Sequence, residues 1–308
     1  MSKHPFLLFC LFLIAPFICE AQEIKIFTTA DFDLKGEVKS CFITTDYGKE
    51  EYDFDREGRL TKSVTRYNDA DYDITYYFYK EAELAEKRLE NYRDKAFDRS
   101  TSIANFYIMD TTENKVVTEK IVSYDKVFLD QYQYHYDGDN KLVKIIRANN
   151  NGNDETLLEY SSLKNENTVD YLLNGVLQKA IRSSERISKN KSPEKVILTK
   201  EYLNGAPNKA IEEVFDSSGK LLEETQFGFD GNTAQFSAVS STTYTYNTEG
   251  DLTKSETVKG KQTVVKEFVY QFDNEKIGNW VKQIIKPENA YTSRKIIYYE
   301  NDKVAAEH

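Results

Sequence analysis

Histidine and cysteine are nearly absent from this chain, and their scarcity removes most catalytic chemistry before any pattern is considered. Three of each occur in 308 residues, and His4, Cys10 and Cys19 all lie within the first 21, leaving His135, His308 and Cys41 beyond them. A Ser-His-Asp or Cys-His arrangement needs a histidine held beside its nucleophile, and zinc sites draw on clusters of both residue types. A disulfide within the chain needs a second cysteine past residue 21, and there is none. Past the first twenty residues no apolar run reaches the roughly 20 residues that a membrane-spanning helix needs. Basic clusters are missing too: 41 Lys and Arg face 51 Asp and Glu, for a net charge of −10. Such a surface repels a phosphate backbone, so nucleic acid is excluded as a partner.

The chain opens with Lys3 and His4, runs apolar from Phe6 to Ile18, and reaches Cys19-Glu20-Ala21 before the polar Gln22-Glu23. A basic end, a short apolar stretch and small residues beside a cut describe a secretory signal peptide over residues 1–21, cleaved after Ala21. A lipoprotein would instead carry its lipid on Cys19, but Ile18 stands where that class resembles a small residue. The expectation is an exported single domain, 22–308, in the periplasm or outside the cell, with no transmembrane segment once the signal is removed.

What the chain has in quantity is aromatic: 22 Tyr and 18 Phe against five Pro, two Met and one Trp. That balance favours strands. A frame then repeats. Tyr52-Asp53-Phe54-Asp55 precedes Arg56-Glu57-Gly58-Arg59-Leu60-Thr61-Lys62; Tyr134-His135-Tyr136-Asp137 precedes Gly138-Asp139-Asn140-Lys141-Leu142-Val143-Lys144; Tyr244-Thr245-Tyr246-Asn247 precedes Thr248-Glu249-Gly250-Asp251-Leu252-Thr253-Lys254. Looser copies surround Phe215-Asp216, Tyr270-Gln271-Phe272-Asp273 and Tyr76-Tyr77-Phe78. Aromatics two apart share one face of an extended chain, and the Gly, Asn, Asp and Ser after them reverse it, so each cassette predicts a β-hairpin. Asn149–Asn153, Asn174-Gly175, Asn204-Gly205 and Lys259-Gly260-Lys261 supply the connecting turns.

The expected fold is all-β: an antiparallel meander of repeated hairpins, about 16 to 18 strands, forming one long, strongly twisted or coiled sheet, since open sheets curl or split beyond about ten strands. Residues 81–92 have good helical propensity with Leu84, Leu89 and Tyr92 on a stripe, but the repeat places a turn and a strand there, and strand is the reading preferred.

The frame (Tyr/Phe)-x-(Tyr/Phe)-Asp-x-x-Gly-x-Leu-x-Lys resembles the YD repeat of RHS-type proteins. Asp33-Leu34-Lys35-Gly36-Glu37-Val38-Lys39-Ser40, Gly278-Asn279-Trp280-Val281-Lys282 and Arg294–Tyr299 are similar to flanking signatures of short, secreted Gram-negative members. The resemblance implies a coiling β-sheet and no activity that attaches to particular residues; long RHS proteins carry a toxin after the repeats, and the expectation here is a short member without a toxin domain, since His308 follows soon after the last expected strand. It also implies, as one alternative, an accessory or immunity-type relative of RHS toxin shells.

Candidate site residues resolve into structural roles. His135 stands where other cassettes carry Asp53 or Thr245, a variable strand position; Cys41 reads as a small strand residue. Asp69-Ala70-Asp71-Tyr72-Asp73 begins like a calcium loop but has Ile74 where glycine is needed and Lys80 in place of the closing glutamate. Asp55, Asp137, Asp216 and Asp273 recur with the turn, tyrosines read as cross-strand ladders, and Trp280 as a C-terminal anchor. No catalytic, metal or cofactor residue is assigned and no cofactor is expected. The functional expectation is a non-catalytic envelope protein presenting an extended surface to a protein or glycan, with strand addition at open sheet edges as a contact mode. The alternative is a glycan-active enzyme using paired carboxylates.

Overall fold

The computed structural model of the protein describes residues 24–273 and 277–300; the expected signal peptide over residues 1–21, Cys19 and His308 lie outside them. Twenty strands follow one another: β1 (Val38–Thr45), β2 (Gly48–Phe54), β3 (Leu60–Arg66), β4 (Tyr72–Lys80), β5 (Glu83–Arg93), β6 (Ala96–Asp110), β7 (Val116–Ser123), β8 (Phe128–Tyr136), β9 (Leu142–Asn149), β10 (Gly152–Leu163), β11 (Glu166–Leu173), β12 (Val176–Ile187), β13 (Pro193–Leu203), β14 (Ala206–Phe215), β15 (Leu221–Asp230), β16 (Gln235–Tyr246), β17 (Leu252–Lys259), β18 (Gln262–Phe272), β19 (Trp280–Lys286) and β20 (Ala290–Tyr298). Each pairs antiparallel with its neighbours in sequence. The disputed stretch at 81–92 is strand β5, entered through Glu81 at φ 56°.

The cassettes are hairpins, and one loop geometry explains their letters. In Asp55–Arg59, Asp137–Lys141, Asp216–Lys220 and Asn247–Asp251 the first residue's N–H donates to the fifth residue's carbonyl, and the fourth residue's N–H donates back to the first. The first side chain also accepts from the fifth N–H: Arg59 N to Asp55 Oδ1 is 2.8 Å, Lys141 N to Asp137 Oδ1 2.9 Å, Lys220 N to Asp216 Oδ1 2.9 Å and Asp251 N to Asn247 Oδ1 2.7 Å. The fourth residue is left-handed, with φ of 80° at Gly58, 60° at Asn140, 84° at Gly219 and 96° at Gly250, which accounts for glycine or asparagine there. This is the three-residue hairpin loop closed by a bulge, and register shifts follow at Asp53/Phe54, His135/Tyr136, Val214/Phe215 and Thr245/Tyr246. The repeating aspartate is a way of folding.

The sheet does not remain an open ribbon. β1 pairs with β20, Cys41 opposite Ile296 and Ile43 opposite Arg294, while β1 also pairs with β2 and β20 with β19. The meander is therefore a closed 20-strand barrel, which corrects the expected long coiled sheet, the count of about 16 to 18 strands and the coiling sheet implied by the YD-repeat resemblance. Closure also corrects the proposed contact mode, because a closed barrel has no sheet edge to which a strand could add.

Hairpin loops after even-numbered strands gather at one end, the cassette end, and there the core lies. Leu34, Val38, Cys41, Phe54 and Leu60 form one buried cluster; Val117, Tyr136, Leu142, Leu158 and Val169 form another. A tyrosine on a neighbouring strand bonds the carbonyl that closes a cassette, Tyr79 Oη to Leu60 O at 2.6 Å, Tyr160 to Leu142 O at 2.7 Å and Tyr246 to Leu221 O at 2.8 Å, and Tyr299, just past β20, bonds Phe54 O at 2.6 Å. The cation before each leucine lies over that ring, Arg59 on Tyr79, Lys141 on Tyr160 and Lys220 on Tyr246. A separate ladder runs laterally through Tyr72, Tyr92, Phe97 and Tyr124.

Residues 24–37 cross the bore at this end. Ile24 packs on the cluster of β7 to β11, Phe27 meets Tyr77 of β4, the Phe32 ring lies tilted with its centroid 4.4 Å from that of Tyr52 of β2, and Asp33 accepts from Trp280 of β19. Ten residues reach at most about 35 Å. They join nearly opposite walls by passing through the interior. The same segment is stitched to the wall: Thr29 N donates to Gly58 O, Leu60 N to Phe27 O, and Lys35 N to Asn279 Oδ1.

Candidate functional site

The face that Ile24 and Phe32 touch is the inner one, and antiparallel register carries it around the ring, since directly paired residues share a face. Cys41, Tyr52, Ser63, Thr75, Leu89 and Ile103 form one inner row; Ile197, Glu213, Glu224, Thr242, Thr257 and Val264 form another on the far side. Toward the end opposite the cassettes the inner wall carries ion pairs: Arg93 to Asp73 at 2.8 Å, Arg147 to Asp130 at 2.6 Å and Lys209 to Glu201 at 3.0 Å. The bore thus grades from an apolar floor, covered by residues 24–37, to a charged mouth.

The outer face is not apolar. Arg88, Lys120, Arg182, Glu212, Glu256 and Glu267 stand near mid-strand on β5, β7, β12, β14, β17 and β18, each adjacent to an inner residue and so pointing outward. On a lipid-facing barrel wall an Arg or Lys at mid-depth costs about 2–4 kcal/mol. Small residues such as Val64 and Ala210 are buried among the longer side chains of this outer face.

Two inner arrangements have chemical potential. In the first, Glu119 of β7 accepts Asn105 Nδ2 at 2.6 Å, Tyr107 Oη at 3.0 Å and Tyr134 Oη at 3.0 Å. Burial, then the Glu119 charge, pushes both phenols far above their ordinary range, so they stay protonated donors. In the second, Glu213 of β14 lies directly opposite Glu224 of β15. Burial, then the neighbouring Glu224 charge, raises the Glu213 carboxyl, and burial with the Glu224 charge pushes Tyr244 up to about 12. A concavity lined in part by Lys195, Ile197 and Phe215 adjoins this row.

The residues singled out by sequence do not converge. His135 is on the outer face of β8, opposite Val116 and Lys144; burial, then the Lys144 charge, lowers its imidazole, whose Nε2 has no partner. Cys41 is buried in the wall and burial pushes its thiol up to about 11. Asp71 and Asp73 are occupied by Asn68, the Asp94 N–H, Arg93 and Tyr67. Asp55, Asp137 and Asp216 close turns, and Asp273 accepts from the Asn279 N–H. Trp280 anchors the last strands: its indole N–H donates to Asp33 and the Arg294 guanidinium lies 3.4 Å from its ring centroid. Among the described residues no group of three or more His, Cys, Asp or Glu is placed to hold a metal. Sequence reasoning missed Glu213 and Glu224, although their nearly symmetric spacing about the Asp216–Lys220 loop would have placed them opposite each other.

No family model and no curated protein matches the chain. Among solved structures, a porin-like protein from Bacteroides uniformis ATCC 8492 is similar at 10% identity and TM-score 0.33, covering 85% of this chain and 99% of that one. A porin-like protein from Bacteroides vulgatus ATCC 8482 is similar at 9% identity and TM-score 0.22, covering 86% and 99%. Likeness at this level carries no argument, and the barrel rests on its own strand pairings. The YD-repeat resemblance is corrected here too, for no such family is found. Its cassettes reflect the chemistry of a bulged hairpin loop following paired aromatics, which any antiparallel meander can use.

Proposed function

We propose that the protein is an exported, non-catalytic binding barrel of the cell envelope that stands in water and receives a glycan through the mouth opposite residues 24–37. The observation that carries this reading is that charged side chains stand at mid-strand on the outer face, interspersed with exposed apolar ones such as Ile108 and Leu157, while tyrosines and ion pairs line the inside. An uncharged, hydroxyl-rich ligand suits phenol rings interleaved with carboxylates and guanidinium groups, which offer flat apolar faces beside donors and acceptors. Tyr171, on the inner wall with the Lys179 ammonium 4.1 Å from its ring centroid, lies on this path. The test is titration of the mature protein with envelope glycan fragments in detergent-free buffer. Saturable binding should weaken roughly fivefold in Tyr171→Ala, about 1 kcal/mol of ring contact. Partition of the folded protein into lipid vesicles, or crosslinking in the native envelope that recovers a protein partner while no glycan binds, overturns it.

Glu213 opposite Glu224 favours a second reading, a carboxylate-dependent glycan hydrolase, because these acids lie off the turn repeat and one has its proton affinity raised. Turnover of a glycan that is lost in both Glu213→Gln and Glu224→Gln supports it; a broad glycan screen without turnover removes it.

A further inference from the structure

Two Asn-Gly turns at the mouth end share a backbone but differ in one respect that controls spontaneous chemistry. Asn174-Gly175 joins β11 to β12 with φ of 50° and 80°, and Asn204-Gly205 joins β13 to β14 with φ of 51° and 80°. All four residues are exposed, and neither glycine N–H is tied in a turn hydrogen bond. The Asn174 carboxamide is held at both ends: Nδ2 donates to Asp154 Oδ1 at 2.8 Å, and Oδ1 accepts from the Glu155 N–H at 2.9 Å. The Asn174 backbone N–H also donates to Glu155 O at 2.7 Å. Among the described residues the Asn204 carboxamide has no hydrogen-bond partner.

We propose that Asn204 is a site of spontaneous deamidation and that Asn174, in a matching turn, is protected by its clamp on β10. The Gly205 backbone nitrogen attacks the Asn204 Cγ, its proton is lost to solvent base, and the side-chain nitrogen leaves as ammonia, closing a five-membered imide. Water then opens the imide at either carbonyl, giving aspartate or the β-linked isoaspartate. No oxidant or cofactor is required. Glycine is the favourable successor because nothing on its Cα obstructs the approach. At Asn174 the same attack requires the carboxamide to rotate away from Asp154 and Glu155, and breaking those bonds slows it by about tenfold. Each event at Asn204 adds a negative charge at the mouth. The β-linked product also inserts one carbon into a two-residue turn that sets the Leu203–Ala206 register.

The third pair, Asn151-Gly152, lies in a turn where Asn151 is not left-handed, so it is not a matched comparison. The experiment is peptide mapping by mass spectrometry of the full mature protein after incubation in mildly alkaline buffer. The expected result is conversion of Asn204 about tenfold faster than Asn174. Asp154→Ala should bring Asn174 to within about twofold of Asn204, while Asp154→Asn, which keeps an acceptor, should leave Asn174 slow. Equal rates at the two asparagines in the unaltered protein, or an Asn204 that does not convert, overturns the proposal. So does an unchanged Asn174 in a folded Asp154→Ala protein. The within-protein comparison stands even if the variant fails to fold.

Discussion

Asn279 treats Lys35 as a β-strand partner would. Its Oδ1 accepts the Lys35 N–H at 2.8 Å, and its Nδ2 donates to the Lys35 carbonyl at 2.8 Å, so one buried side chain satisfies both backbone groups of a residue 244 positions away. The same Nδ2 reaches Tyr298 Oη at 2.8 Å, and Tyr298 Oη donates to Asp273. The carboxamide thereby ties residues 24–37 to the last two strands beside the β1–β20 seam.

Replacing it should loosen that seam first. Asn279→Ala takes away the partner of the Lys35 N–H and carbonyl and empties a buried side-chain position, and is expected to destabilise the protein by about 1–3 kcal/mol. Trp280, the single tryptophan, lies next to the lesion. In the variant its fluorescence should therefore change at lower denaturant concentration than the far-ultraviolet dichroism of the barrel. Coincident transitions would place the seam inside the cooperative unit.

Glu119 makes a sharper energetic prediction. Glu119→Ala strands the Tyr107 and Tyr134 hydroxyls and should reduce stability by about 2–3 kcal/mol. Adding Tyr107→Phe and Tyr134→Phe to that variant should restore part of the loss, because the unpaired donors go with it. Chemical denaturation of the unaltered protein, Glu119→Ala, the Tyr107→Phe/Tyr134→Phe double variant and the triple variant measures the coupling, and strict additivity would show that Glu119 does not bind the two rings.

Glu213 sets a pH dependence. Its raised proton affinity means that the native state holds a proton which the unfolded chain releases near the ordinary value of 4.5. Stability therefore falls as pH rises from there through the native value, and stays lowered above it. Glu213→Gln should raise the melting temperature at neutral pH, and the gain should vanish below about pH 4.5. A gain that persists in acid would assign the effect to something other than ionisation.

The cassette aspartate is testable by conservative exchange. Asp216→Ala removes the acceptor for the Ser218 and Lys220 N–H groups and should lower stability by about 1–2 kcal/mol. Asp216→Asn should be nearly neutral, since Asn247 already fills the same role in the β16–β17 loop. Equal losses in both variants would mean that the charge, rather than the acceptor geometry, matters.

The hairpins were legible because everything that makes them is local: paired rings, an Asx acceptor and a left-handed fourth residue within eleven positions. Two loops of the same geometry escaped notice, Ser123–Val127 and Ser188–Ser192, where serine replaces aspartate and Lys126 and Lys191, at φ 64°, replace glycine. A hydroxyl is a weaker signal than a carboxylate, and lysine carries no sign of a left-handed backbone. Closure was not legible, because no local feature announces that Val38 will face Tyr298. Nor was the inner location of Glu213 and Glu224, which depends on the bulge that shifts their hairpin by one residue.

Beside the seam the Tyr299 N–H donates to the Glu37 carbonyl at 2.9 Å, so the two limits of the ring of strands already touch. Topologically the wall is an annulus with an arbitrary starting point. Cutting it at Asn204-Gly205 and fusing its ends elsewhere would preserve every pairing except the one turn removed, provided that the linker lets residues 24–37 enter the bore.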